Sequence, residues 1–184
     1  MTEEVELAGW APKDGILAAE IAVAGAAIQS KEALEEAAEL VGPDDFFSPS
    51  GMVFAAALAL LEDGKPIDPT AVLGELQARE DLARVGGGAH LVTLVEHAAR
   101  AGAVTYHARR IAADARRRRI NLACHRGIQA TEGAGWDPET DVDAVRKLID
   151  EAAAGRDSHK DADLVDVVNE LLDELENPPS ALTG

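Results

Sequence analysis

Residues 104–132 read VTYHARRIAADARRRRINLACHRGIQATE, a stretch with no proline and a single interior glycine, Gly127. Alanine, arginine, leucine and glutamine all favour helix, and no residue here must interrupt the backbone ladder. At 1.5 Å per residue the helix extends about 43 Å, more than a small globule needs, so it should project from one. Its charge is as distinctive as its length. Residues 100–126 hold 8 arginines against Asp114 alone, a local balance of +7. Arg116, Arg117, Arg118 and Arg119 cover every side of the helix, so some of them must meet something other than core. With Arg109 and Arg110 they are candidates to contact phosphates, acidic residues of a partner subunit, or water. No aromatic residue interleaves with the run, so base stacking on single strands is not supported.

On either side of this rod the chain is acidic. Residues 1–99 carry 18 acids and 5 bases, residues 137–176 carry 14 acids and 4 bases, and the net charge of the 184-residue chain is −17. A basic rod between acidic segments suggests charge pairing within or between subunits. A solvated arginine-rich face is the equal alternative. Hydrophobic residues make up 47% and aromatics 3% of the chain. Such an alanine-rich, aromatic-poor composition predicts an all-α fold large enough to bury a real core.

Residues 1–12 read as a loose tail containing Trp10 and Pro12. A first helix follows from Gly15 to Gln29, with Ile16, Ala19, Val23 and Ala27 at helical spacing. Ser30 is placed to cap a second helix, Lys31 to Leu40, which Gly42-Pro43 stops. Phe46, Phe47 and Phe54 anchor the core around a third helix, Pro49 to Asp63. Asp68-Pro69 sets a cap residue before a first-turn proline and starts a fourth, Pro69 to Arg79. A short helix from Ala89 to Ala99 follows the glycine run 86–88. After the long helix and a turn at Gly133–Pro138, Asp141 to Ala154 returns and completes a helical hairpin. A last helix, about Ala162 to Glu176, places Leu164, Val168, Leu171, Leu172 and Leu175 on one apolar stripe. The expected organisation is a tail (1–12), a helical globule (13–102), a helical hairpin (103–155), and a linker with a separate amphipathic helix (156–184).

Catalytic constellations do not emerge. Gly64-Lys65 runs into Pro66 and forms no phosphate loop, and no strand precedes the triple glycine as a dinucleotide fingerprint needs. His90, His97, His107, His125 and His159 lack the spacing of a helical metal site, and Cys124-His125 diverge by about 100° on their helix. Glu20 is a lone carboxylate without a visible partner. The expectation is no enzyme, no cofactor and no metal. With Cys124 as the only cysteine, no intrachain disulfide is possible and a cytoplasmic protein is expected. The acidic start has no signal-peptide plan, and no apolar run reaches the ~20 residues of a bilayer span.

Several segments, in order, resemble one family. Ala19-Glu20, Asp44-Asp45-Phe46-Phe47, Phe54, Gly64-Lys65-Pro66-Ile67-Asp68, Leu82-Ala83-Arg84-Val85-Gly86-Gly87 and Tyr106-His107-Ala108-Arg109 are similar to the N-terminal domain of DnaB-type replicative helicases. The resemblance covers about residues 15–155, and the last helix looks like that family's linker helix. Two places depart from the pattern. The histidine common shortly before the matched Phe54 is missing from Ser48-Pro49-Ser50-Gly51, and the aromatic usual near His90 is replaced.

The resemblance implies a globule carrying a hairpin, with hairpins pairing two subunits and three such dimers forming a collar over a hexameric motor ring. Tyr106, Ile111, Ile120, Ile128, Val145 and Leu148 would then form the subunit interface of the hairpin. Leu164, Val168, Leu171, Leu172 and Leu175 would dock on a neighbouring motor domain. Primase and a helicase loader are the implied partners, with DNA contacted weakly or through the parent protein. The expected function is a non-catalytic oligomerisation and primase- or loader-docking domain in DNA replication, a fragment whose ATP-dependent motor lies elsewhere in a longer protein. The alternative is a free-standing adaptor or loader-like protein that binds a helicase.

Overall fold

The computed structural model describes residues 15–132 and 135–154. Every regular element among the described residues is helical: α1 (Ile16–Ala27), α2 (Lys31–Ala38), a 3₁₀ turn (Pro43–Asp45), α3 (Ser50–Glu62), α4 (Pro69–Ala78), α5 (Gly87–Glu96), α6 (Val104–Glu132) and α7 (Asp141–Ala154). The all-α class is as the composition predicts. The tail 1–12, His159 and the terminal stripe Leu164, Val168, Leu171, Leu172 and Leu175 lie outside the described residues. The chain divides into two compact units, with the division inside α6 between Leu122 and Ala123.

In the first unit α1 is the central element, packing on α2, α3 and α5, while α4 closes against α3 and α5. Its sequence explains this position. Ala19, Ala22, Ala24, Gly25, Ala26 and Ala27 are all buried, so neighbouring backbones can approach closely on several sides. A Cβ added at Gly25 would stand 1.9 Å from the Leu94 carbonyl oxygen, and the Ala99 amide donates to the Ala22 carbonyl at 2.8 Å. Larger side chains fill the remaining space: Phe54, Ile28, Leu34, Leu76 and Leu94 are almost fully buried, and Phe46 stacks on Phe54 at 5.1 Å. The first half of α6 belongs to this same core through Val104, Ala108 and Ile111. The globule thus continues past Gly102, where the sequence suggested it would end.

Local chemistry sets the helix starts. Ser30 Oγ accepts from the Ala33 amide at 3.2 Å, and Asp68 accepts from Thr70 and Ala71 at 2.8 and 3.0 Å ahead of Pro69. α5 begins at Gly87 rather than Ala89 and ends at Glu96 rather than Ala99. Gly86 and Gly87 hold φ of +89° and +70°, so the glycine run turns the chain directly into the helix. The 3₁₀ turn at Pro43–Asp45 has no counterpart in the sequence reading.

Candidate functional site

The segment between α2 and α3 is held from two sides. On one, Glu20 of α1 is fully buried and its carboxylate accepts from the amides of Phe47 at 2.7 Å and Ser48 at 2.9 Å. A buried charge persists only when donors replace its water, and these two amides do so. On the other side, Asp45 accepts from the Gly42 amide at 2.8 Å and pairs with Arg119 of α6 at 2.6 Å. Arg118 donates to the Asp45 carbonyl at 2.5 Å and lies 5.8 Å from the centre of the Phe47 ring. Phe47 itself is 45% exposed. An aromatic is therefore presented at the surface on a backbone fixed by an acid and a guanidinium. The carboxylate that lacked a visible partner in the sequence has two, both backbone amides.

The arginine run splits into two groups. Arg117 and Arg118 flank the buried Asp114 at 3.8 and 3.9 Å, and Arg119 takes Asp45, so these three meet acids of their own chain. Asp114 has no hydrogen-bond donor among the described residues, and the two guanidinium groups counter its charge. Arg109 and Arg116 are exposed and enter no ion pair among the described residues. Arg110 sits 5.9 Å from the Tyr106 ring centre. Gly102, Thr105, Tyr106, Arg109, Arg110 and Ala113 line an open groove of about 420 Å³ along the first half of α6. At the start of that helix the Thr105 amide and hydroxyl both donate to Glu36.

The expected pairing residues fall into different environments. Ile111 is fully buried in the first unit's core, so its side chain serves that core. Tyr106 is 61% exposed and Ile120 half-buried. In the second unit Ile128 is 55% exposed, while Val145 and Leu148 are half-buried. There Gly127 allows α6 and α7 to come together, since a Cβ on it would lie 2.9 Å from Val145 Cγ1. Val142, 43% exposed on α7, is an apolar surface residue the sequence reading did not single out. A second groove, about 440 Å³, runs between α4 and α5 and is lined by Pro69, Leu73, Leu91, Val92 and Val95, with Val92 56% exposed. Histidines, acids and Cys124 form no metal-holding group of three or more among the described residues, and no described helix is long and apolar enough to cross a membrane. What the site offers chemically is surface for macromolecular contact: exposed apolar residues and the guanidinium groups of Arg109 and Arg116, which enter no ion pair among the described residues.

Comparison with known proteins identifies the family. A family profile described as the DnaB-like helicase N terminal domain matches residues 13–113. The replicative DNA helicase DnaB of Mycobacterium leprae (strain TN) is 34% identical over 170 residues, covering 90% of this chain and 28% of that protein. The DnaB of Geobacillus stearothermophilus is 33% identical over 135 residues, 73% of this chain and again 28% of the relative. This chain thus spans less than a third of the length of either. Among solved structures, the N-terminal domain of DnaB helicase from Mycobacterium tuberculosis superposes with a TM-score of 0.71 at 33% identity, covering 77% of this chain and 99% of that one. A structure titled as a DnaB-like replicative helicase and its interactions with primase shares the fold, with a TM-score of 0.60 at 19% identity over 91% of this chain and 36% of that one.

Proposed function

This chain belongs to the DnaB-like helicase N-terminal domain family, and from that premise we propose that it is the assembly and partner-docking domain of a replicative DNA helicase. Pairing with a second copy runs through the surface of α6 and α7. The observation that carries this reading is the exposure of Ile128 (55%) and Val142 (43%), one on each helix of the second unit. Large apolar side chains left in water on a packed helix pair favour association. Val145 and Leu148, half-buried on α7, add to the seam, and Ile120, half-buried on α6 in the first unit, is a separate candidate contact. Tyr106, 61% exposed on α6 in the first unit, is a further candidate contact with a second copy.

The globule is the docking face for primase or a helicase loader. Support comes from the neighbour whose title names interactions with primase, and from the apolar groove between α4 and α5. ATP-driven unwinding belongs to the greater part of the relatives' length that this chain does not match. In that longer protein the pairs assemble as three dimers, and Leu164 to Leu175 dock on a neighbouring motor domain. The relatives found are helicases, which supports this reading over a free-standing adaptor.

Sedimentation of the full chain across micromolar concentrations tests the pairing. A dimer or larger species is expected, and Ile128→Asp with Val142→Asp should give a monomer of unchanged helicity, because both residues are surface-exposed. A parent chain that stays monomeric throughout that range sinks the proposal.

A further inference from the structure

Arg109, Arg110 and Arg116 to Arg119 are the candidates on α6 for contact with an anion, and the fold leaves two of them open. Arg117 and Arg118 flank the buried Asp114 at 3.8 and 3.9 Å, and Arg119 lies 2.6 Å from Asp45. Arg110 sits beside the Tyr106 ring, 5.9 Å from its centre. Arg109 and Arg116 are exposed and enter no ion pair among the described residues. Ala113, also exposed, lies between them, and the i, i+4, i+7 spacing puts all three on one face of α6. Most of the consecutive run is thus set against acids of its own chain, and the open charge lies on the face that Arg109 and Arg116 share.

The chemistry of that face fits a phosphodiester chain. On a chain of net charge −17, residues 100–126 hold a local balance of +7, so a polyanion is attracted there and repelled elsewhere. A guanidinium meets a phosphate through two parallel donors and keeps its charge at any ordinary pH. Arg109 and Arg116 are about 11 Å apart along the helix axis. Each strand of a duplex carries a phosphate about every 3.4 Å along its axis, so phosphates meet that interval in any register. A folded acidic surface has to place two carboxylates at that one distance. Nothing aromatic lies between the two arginines, so bases have no platform and the contact carries no sequence preference.

We propose that the outer face of α6 in the first unit, with Arg109 and Arg116 as its contacts, binds the phosphate backbone of nucleic acid weakly and without regard to sequence. Asp114 and Asp45 withhold Arg117, Arg118 and Arg119 from the same ligand. Tyr106 and Ile120, candidate contacts with a second copy, lie on the same helix, so nucleic-acid binding and self-association are read together.

The test is the anisotropy of a fluorescein-labelled DNA duplex titrated with the full chain over a series of salt concentrations. Binding should appear at low salt, be equal for two duplexes of unrelated sequence, and fade as salt rises. Arg109→Gln with Arg116→Gln should weaken low-salt binding about tenfold or more and flatten the slope of log affinity against log salt by about 1.8, the value for two phosphate contacts. Arg109→Lys with Arg116→Lys keeps both charges and should retain most of that slope. Arg119→Gln removes an arginine already paired with Asp45 and should change it far less. The chain carrying Ile128→Asp and Val142→Asp should bind as the parent does, since both residues belong to the second unit. Absence of binding at low salt overturns the proposal, as does a loss from Arg119→Gln equal to that from the Arg109 and Arg116 pair. Binding lost with Ile128→Asp and Val142→Asp means that only paired chains form the site, and overturns a site on one chain. A double glutamine variant that sediments as a smaller species while duplex binding is unchanged gives this face to a second copy's acids, and overturns the proposal as well.

Discussion

Replacing Glu20 with glutamine isolates the contribution of one buried charge. The substitution keeps the shape of a side chain that is fully enclosed and accepts from Phe47 N at 2.7 Å and Ser48 N at 2.9 Å. Glutamine has one oxygen, so one amide retains a neutral hydrogen bond while the other faces an NH₂ group and loses its acceptor. Converting a charge-assisted bond to a neutral one costs about 1 kcal/mol, and stranding the second amide costs about 1–3 kcal/mol. Relief of the buried charge offsets part of this. The expected loss is about 2–3 kcal/mol, which is ~30- to 150-fold in the folded-to-unfolded ratio. Urea unfolding should show the midpoint fall with its slope unchanged, because the surface exposed on unfolding is the same. Amide exchange supplies the local readout: Phe47 and Ser48 should lose protection by more than the α1 amide of Val23. A loss under about 0.5 kcal/mol, the range of ordinary surface changes, together with unchanged exchange at Phe47 and Ser48, would refute the claim that Glu20 holds this segment.

Two glycines give a contrasting pair. Gly25→Ala sets a methyl 1.9 Å from the Leu94 carbonyl oxygen and 3.1 Å from Ala98 Cα, backbone that cannot swing aside. The expected cost is about 3 kcal/mol or more, and a melting temperature lowered by less than about 3 °C would contradict it. Gly127→Ala meets only the Val145 side chain, 2.9 Å from its Cγ1 and 3.7 Å from its Cγ2, and gains about 1 kcal/mol of helix propensity. It should change stability by no more than about 1 kcal/mol in either direction; damage equal to that of Gly25→Ala would show that Val145 cannot yield. At the turn after α3, Lys65 donates to Asp63 at 2.7 Å, which holds the Asp63 carboxyl below its ordinary value and raises the Lys65 ammonium. The Asp63 contribution is present above the unfolded carboxylate value and fades as pH falls through the lowered folded one. The Lys65 contribution is present below the unfolded lysine value and fades as pH rises through the raised one. Carbon-detected titration should place the Asp63 midpoint below 3.8, and an unshifted midpoint would count against the pair.

Where local rules act alone, the sequence is a good guide. Ser30 and Asp68 cap as their hydroxyl and carboxylate chemistry requires, and α6 and α7 run between the residues that glycine, proline and aspartate marked for them. Long-range partners are different. Glu20 stands out as a carboxylate in an apolar helix, yet its acceptors' partners lie 27 and 28 residues on, in a segment with no periodicity to read. Arg119 finds Asp45 from 74 residues away. Ile111 illustrates a subtler limit. The i, i+4, i+7 spacing of Val104, Ala108 and Ile111 marks an apolar stripe, but spacing does not say whether a stripe faces its own core or another subunit. Ser50 and His90, from two segments 40 residues apart that the sequence reading treated separately, prove to be neighbours, with Ser50 Oγ 3.4 Å from His90 Nε2.

The alanine-built centre has a consequence for how this domain tolerates change over generations. At Ala19, Ala24, Ala27, Ala56 and Ala57 almost every codon change enlarges the side chain, and there is little left to remove. Random variation is therefore one-directional there, and a library scan should find α1 and the middle of α3 intolerant of valine and leucine while accepting glycine or serine far more often. At Leu34, Leu76 and Leu94 the order should reverse, with methionine and isoleucine retained and small residues lost. Two classes of buried position, told apart by the direction of the substitutions each rejects, would map the closest helix contacts from sequence variants alone.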